Sequence, residues 1–241
     1  MRTIDLNADL GEGMGDDEAI LAVVTSASIA CGGHAGDSAS MALAARRCRE
    51  AGVALGAHPS YPDREDFGRR RLGIPADALR ADLLRQVRDL AAAAERVGVG
   101  LTHLKAHGAL YNLAMVDDDA AHLVLQVAAD ALERALPVYA LPGSRVASLA
   151  AEHGIAVVPE AFADRAATAA GTLVPRSEPG AVITDPAAVR ERMGHLDARA
   201  RTVCVHGDTP AALDLARAAR RGLLDAGFTL APATPGAGRG E

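Results

Sequence analysis

With 241 residues the chain can bury roughly 70–75% of the surface its unfolded form would expose, so one large core needs no disulfide or structural metal to hold it. Its 31 acidic residues against 25 basic ones give a net charge of −6, which argues against a surface built for nucleic acid and favours a small-molecule or protein partner. Cys31, Cys48 and Cys204 form no CxxC pair, and neither a basic leader nor an apolar run of membrane length is present, so a disulfide framework and a membrane span are excluded and a cytoplasmic address is expected.

In chain order, strands are expected near residues 3–8, 27–31, 53–57, 101–105, 137–141, 155–159 and 202–206, with helical stretches between most of them. The clearest helix runs from about Asp77 to Val97, where Leu79, Leu83, Val87, Leu90, Ala94 and Val97 recur at three- and four-residue steps and Gly98 supplies the stop. A last helix opens at Thr209-Pro210, with threonine as N-cap and proline at the first helical position, and closes near Gly227; Arg217, Arg220 and Arg221 form its solvated face. This alternation makes an α/β chain with a parallel sheet, and residues 1–230 read as one domain because no linker interrupts them. The segment from Ala231 to Glu241 has too little apolar area to offset its ordering entropy and is expected to fray.

Side chains alternate across a strand, so each strand divides into two sets. In the first, Ile4, Leu6 and Ala8 share one face and Asp5, Asn7 and Asp9 the other, which is unusual where helices normally cover both faces of a parallel sheet. The division recurs. Val53, Leu55 and Ala57 oppose Gly56 and His58; Leu104 and Ala106 oppose His103, Lys105 and His107; Val203 and Val205 oppose Cys204, His206 and Asp208; Glu160 ends the sixth strand. Polar groups at the carboxyl ends of strands suit the sites of both barrels and open α/β sheets. Periodicity cannot choose between those two architectures, but closure brings inward groups distant in sequence onto one axis, whereas an open sheet scatters them along its edge, so the pattern favours a barrel.

His34, His58, His107 and His206, all at expected strand ends, are candidate catalytic residues together with Asp9, Lys105, Glu160 and Asp208. His122, His153 and His195 read as ordinary core or surface histidines, and His103, deeper in its strand, stays open between the two readings. Lys105 is the sole lysine, a compact cation able to change protonation on burial, which arginine cannot imitate. Asp9, His58, His107 and His206 are also candidate ligands for a divalent metal. The run from Cys31 to Asp37 could offer the Gly32 and Gly33 N–H groups to an oxyanion, or be an ordinary turn between strand and helix; Arg69-Arg70-Arg71 reads equally as an anion clamp or a solvated loop. No GxxxxGK occurs, so a Walker-type nucleotide site is absent.

These residues fall in ordered blocks: Asp5 to Glu12 (DLNADLGE), Ala30 to Asp37 (ACGGHAGD), Gly56 to Asp63 (GAHPSYPD), Phe67 to Arg70 (FGRR), Lys105 to Asn112 (KAHGALYN), Phe162 to Arg165 (FADR) and Cys204 to Asp208 (CVHGD). Spread over about residues 4 to 210, they resemble the lactam-utilisation (LamB/YcsF) family. The resemblance implies an irregular seven-stranded (β/α) barrel of the glycoside hydrolase/deacetylase type, and ATP-dependent opening of the cyclic amide 5-oxoproline (pyroglutamate) to L-glutamate. ATP, accompanied by Mg²⁺, would be a co-substrate of a complex whose B and C subunits are the partners. Substrate-binding residues are expected at Asn7, Glu12, Gly32, Gly33, Arg69, Arg70, Tyr111, Asn112, Asp164 and Arg165. The chain departs from the family pattern at Gly33 (usually Phe), Ala106 (usually Pro), Ala8 (often Cys) and Ala167 (often aromatic), which is expected to alter pocket shape.

Cleaving a lactam needs an activated water, a stabilised oxyanion and a proton for the departing nitrogen. Asp9 or Glu160 with a neighbouring histidine is the expected base and His107 or His206 the acid, with Lys105 and the Gly32 and Gly33 amides facing the developing charge. Two other readings stay open: a metal-dependent hydrolase or deacetylase on the same barrel, and a non-catalytic subunit that captures a small acid for its partners.

Overall fold

The computed structural model describes residues 2–168 and 171–234. Seven parallel strands, β1 (Arg2–Leu10), β2 (Ser26–Ala30), β3 (Ala54–His58), β4 (His103–Leu104), β5 (Val138–Ala140), β6 (Val157–Phe162) and β7 (Thr202–His206), pair in sequence order. Because β1 bonds to both β2 and β7, the sheet closes into a barrel, as the face pattern suggested. The connections carry α1 (Asp17–Leu21), α2 (Ser38–Ala51), α3 (Ala76–Glu95), α4 (Gly108–Ala114), α5 (Asp118–Asp130), α6 (Arg145–Leu149), α7 (Pro186–Arg192) and α8 (Ala212–Asp225).

Local chemistry sets several of these boundaries. Asp37 and Ser40 form a reciprocal capping box at the start of α2, and Gly52 ends that helix in the left-handed region at φ 68°. On α3 the buried stripe Leu79, Leu83, Val87, Leu90 and Ala94 packs inward. The outward face of β1, Ile4, Leu6, Ala8 and Leu10, is buried in the same core. Among the described residues no helix is long and apolar enough to cross a membrane.

Closure stacks the inward side chains in levels. Lowest, Asp5 accepts hydrogen bonds from Thr25 (2.5 Å), Ser26 (2.6 Å), Thr202 (2.6 Å) and Tyr139 (3.2 Å). Above it lie Asn7, Ser28, His103, Glu160 and Cys204, and at the carboxyl end Asp9, His58, Lys105 and His206; all are buried. His103, undecided from sequence, is an interior residue: its ring stacks on Tyr139 at 4.0 Å and bonds to Ser28 (3.2 Å) and Thr102 (2.9 Å). Burial first, then the Lys105 charge, pull it down to about 3 and keep it neutral. Gly56 makes room for it, since a Cβ there would overlap the ring.

Five details differ from the expectations. An eighth strand, β8 (Phe228–Leu230), pairs with Arg2–Ile4 of β1; three residues, two half-buried and the middle one exposed, carry too little pattern to announce it. The strand expected at 101–105 shrinks to two residues. Thr209 does not cap α8: its hydroxyl donates to Asp164 (2.8 Å), and the helix begins after Ala211, which sits at φ 60°. Arg220 is not simply solvated, because it donates to the Val23 carbonyl at 2.8 Å. Of the segment expected to fray, Ala231 donates to the Ile4 carbonyl and Thr234 is buried, while 235–241 lie outside the described residues.

Candidate active site

A cavity of about 370 Å³ opens over the carboxyl ends of the strands, lined by Asp9, His58, Lys105, His107 and His206 from the barrel and by residues of the loops above. At its floor Lys105 Nζ lies 3.0 Å from Asp9, 2.9 Å from Glu160 and 2.8 Å from Cys204 Sγ. Burial alone would neutralise this lysine, but Asp9, Cys204 and Glu160 outweigh it and hold the ammonium well above its ordinary value. Burial likewise pushes Asp9 up, yet His58, Lys105 and His206 win and keep it a carboxylate. Glu160 is different: burial dominates and raises it despite Lys105. It accepts from Asn7 (3.1 Å) and Tyr111 (3.1 Å), so Asn7 acts on Glu160 from below.

Beside this floor His34, His58 and His107 pack together, with His34 and His107 stacked at 3.6 Å. Their outer nitrogens are committed. His58 Nδ1 meets the Lys105 carbonyl (2.8 Å) and His107 Nε2 the Phe67 carbonyl (2.9 Å), and a carbonyl only accepts, so both of those nitrogens carry protons. The Ser60 hydroxyl donates to Tyr61 O, so it accepts from His34 Nδ1 (2.9 Å). The inner nitrogens, His58 Nε2 and His107 Nδ1, then face each other at 3.0 Å and need one cation or one proton between them. His34 Nε2 faces Glu12 at 3.1 Å. Burial, then Asp9 and Asp208, raise Glu12 well above the carboxylate range, so it donates to His34, which burial and His58 pull down to about 2. Burial, His34 and His58 also hold His107 neutral.

On the opposite wall His206 Nδ1 lies 2.9 Å from Asp164, which also accepts from the His206 amide (3.2 Å) and Thr209. Burial raises Asp164, but His206 and these hydrogen bonds carry it below its ordinary value. The anion holds the Nδ1–H of His206 and turns Nε2 toward Asp9 at 3.8 Å. At the mouth Arg69, Arg165 and Arg176 line the cavity with Tyr111, Asn112 and Phe162.

Several expected site residues fall elsewhere. Asp208 does not face the reaction space but pairs with Arg69 and with Arg176 (3.2 Å). Asp164 is fully buried, off the cavity lining, and bonds to His206 and Thr209. Arg70 lies off the cavity, paired with Asp63 (3.3 Å) and Asp66 (3.2 Å). The Gly32 amide donates to Ala35 O, so it cannot serve an oxyanion, and Gly33 packs against Ser60 and Gln86, where any Cβ would overlap Ser60. The buried Gln86 side chain of α3 fills that space, bonding to Ser60 N (3.1 Å) and Ser60 O (2.9 Å). Sequence reasoning missed Arg176 and Phe162 as cavity residues; Arg176 comes from the long connection between β6 and α7, which had no strand pattern to locate it. His122 and His153 pair with each other (2.8 Å) away from the barrel axis, and His195 is exposed.

The four candidate metal ligands divide between two groups: His58 and His107 with Glu12 and His34, and Asp9 and His206 with Cys204. Only the first suits a cation. Its four ligand atoms converge while the outer nitrogens are held by protein oxygens, whereas the Lys105 ammonium already touches Asp9 and Cys204 in the second.

A family model described as the LamB/YcsF family matches residues 4–237. The chain is 47% identical to the 5-oxoprolinase A subunit of Streptomyces avermitilis, over 95% of this chain and 98% of that one. It is 45% identical to the 5-oxoprolinase A subunit of Chloroflexus aurantiacus, again over 95% and 98%. Among solved structures, the lactam utilization protein from Thermus thermophilus superposes with a TM-score of 0.85 at 38% identity, covering 96% of this chain and 99% of that one. A CE4 family pseudoenzyme from Bacillus anthracis shares the fold at a TM-score of 0.53 and 11% identity, over 95% of this chain and 63% of its own.

Proposed function

The chain belongs to the LamB/YcsF family, and from that premise we propose that it is the A subunit of a 5-oxoprolinase, a hydrolase that opens the cyclic amide of 5-oxoproline to L-glutamate with hydrolysis of ATP. The observation that carries this reading is one cavity lined by both a charged ammonium, Lys105, and His206, whose Nδ1 is held by the buried Asp164. His206 Nε2 takes a proton from the attacking water, and Lys105 faces the carbonyl oxygen as negative charge develops on it. The proton between His58 and His107 is the source for the departing nitrogen. This reassigns the roles expected from sequence: Asp9 holds Lys105 and His58 in place, and Glu160 supports Lys105 from below. ATP with its Mg²⁺ is a co-substrate of the assembly, which the B and C subunits complete.

The test uses the full chain supplied with its partner subunits. His206→Asn and Lys105→Met should each lower 5-oxoproline-dependent ATP hydrolysis by roughly a hundredfold or more, with circular dichroism and thermal melting showing that the variants fold. Unchanged turnover in both removes these groups from the chemistry. A raised KM at wild-type kcat would instead mark a subunit that only captures substrate.

A second reading, a metal-dependent hydrolase, is favoured by the facing nitrogens of His58 and His107. Glu12, His34, His58 and His107 would hold a divalent cation, which supplies Lewis acidity. Zinc added to the chelator-treated chain should then raise Tm as its concentration rises, and His58→Ala should abolish the rise. A Tm indifferent to zinc and chelator leaves the shared proton as the occupant.

A further inference from the structure

The helical coat of the barrel has a gap over one strand. β2, β3, β4, β5 and β7 are buried along their whole length, whereas β6 alternates, and its Val157, Pro159 and Ala161 stay half-exposed. These three form its outward face, because Glu160 and Phe162 turn inward to Lys105, at 2.9 Å and with the ring centroid at 5.1 Å. Helices normally cover both faces of a parallel strand. Here α6 has only five residues, the described part of 163–185 carries no helix, and α7 stands at one wall through Ala188 and Arg192. A cavity of about 440 Å³ lies over Ala161, walled by Leu141, Pro142, Leu173 and Leu196, and another of about 490 Å³ meets Val157 and Pro159 at the other end of the strand. The charge around them is one-sided. Arg2, Arg192, Arg199 and Arg201 border the two cavities against Glu191 and Asp197, an excess of two positive charges on a chain whose net charge is −6. Asp5, Glu160 and Arg165 reach the cavities from within, buried and already bonded to other groups. Arg201 is exposed and joins no ion pair among the described residues, and the buried Nε of Arg192 has no hydrogen-bond partner.

Resting on the assembly proposed above, we infer that the outward face of β6 docks an acidic amphipathic helix of a partner subunit, which supplies the missing piece of the helical coat. The six residues of β6 run roughly 20 Å, the length of a helix of about 13 residues. The apolar stripe of that helix lies on Val157, Pro159 and Ala161 and sets one large anchor side chain into the cavity over Ala161. Carboxylates on its flanks meet Arg199 and Arg201, the complement of the excess charge. A second copy of this chain suits the face poorly, since a two-fold interface would set the same arginines against each other. Docking here also touches the catalytic cavity from outside, because Phe162, Arg165 and Leu173 line both spaces.

The test titrates the B and C subunits into the full chain and reads calorimetric binding together with 5-oxoproline-dependent ATP hydrolysis. Ala161→Glu, and separately the double reversal Arg199→Glu with Arg201→Glu, should each weaken partner binding roughly tenfold or more, with turnover at saturating partner within about twofold of wild type. Leu43→Glu, at a partly exposed apolar site on α2, should change neither. Thermal melts show which variants fold, and the double reversal decides the matter if Ala161→Glu does not. Four results overturn the inference: no binding of B or C by the wild type, wild-type affinity in either folded variant, lost turnover at saturation with affinity unchanged, or a wild-type dimer in light scattering that Ala161→Glu splits, which would seat a second copy there. Failure of the lactam-hydrolase reading shows separately, as an assembly that forms with full affinity and hydrolyses no ATP when given 5-oxoproline.

Discussion

At the scale of single residues, the site works by fixing protonation states. Asp164 decides which nitrogen of His206 carries hydrogen, and backbone carbonyls decide it for His58 and His107. Asp164→Asn preserves shape but offers an amide that imposes the wrong tautomer, so kcat should fall by about 10³-fold or more with KM changed far less. The same substitution has a stability signature. The folded pKa of Asp164 lies below its ordinary value of 3.8, so the stabilisation is present above that value and is lost as pH falls through the folded one. Melts of the variant should therefore lose part of the wild type's decline below about pH 4; an unaltered acid limb would place the cause of that decline elsewhere. Lys105 shows why such centres are not sources of stability: two carboxylates and a thiol serve to keep one ammonium charged against burial.

At the scale of elements, the barrel interior depends on glycine where a ring must pass. Gly56 of β3 lies level with His103 of β4, and a methyl group there would overlap the imidazole, which its bonds to Ser28 and Thr102 and its stack on Tyr139 prevent from moving. Gly56→Ala should cost about 1–3 kcal/mol, read as a lower urea midpoint at unchanged slope. A wild-type midpoint would mean that β3 and β4 can separate at that level. Gln86 makes a related point across elements: it reaches from α3 to fill the space above Gly33 and fixes the Ser60 that orients His34. Periodicity had placed α3 but treated it as packing alone, because a buried glutamine on an apolar stripe carries no sign of what it will touch.

At the scale of the whole molecule, closure between β1 and β2 turns seven separate strand ends into one site. The sequence by itself determined the alternation of strands and helices, the polar inward face of β1, and the membership of Asp9, His58, Lys105, His107 and His206 in one ring, because alternation along a strand is a local property that burial must respect. It also singled out Asp164 and Asp208, but not the partners they bond to. Only the tertiary structure decided that Asp164 serves His206, that Asp208 neutralises arginines, that Gly32 is already hydrogen-bonded, and that Arg176 reaches the mouth from an irregular connection. The physical reason is the range of the interactions. Periodicity records which side of its own element a residue occupies, whereas a proton's position or an ion pair depends on a partner many residues away, and nothing in the local pattern names that partner.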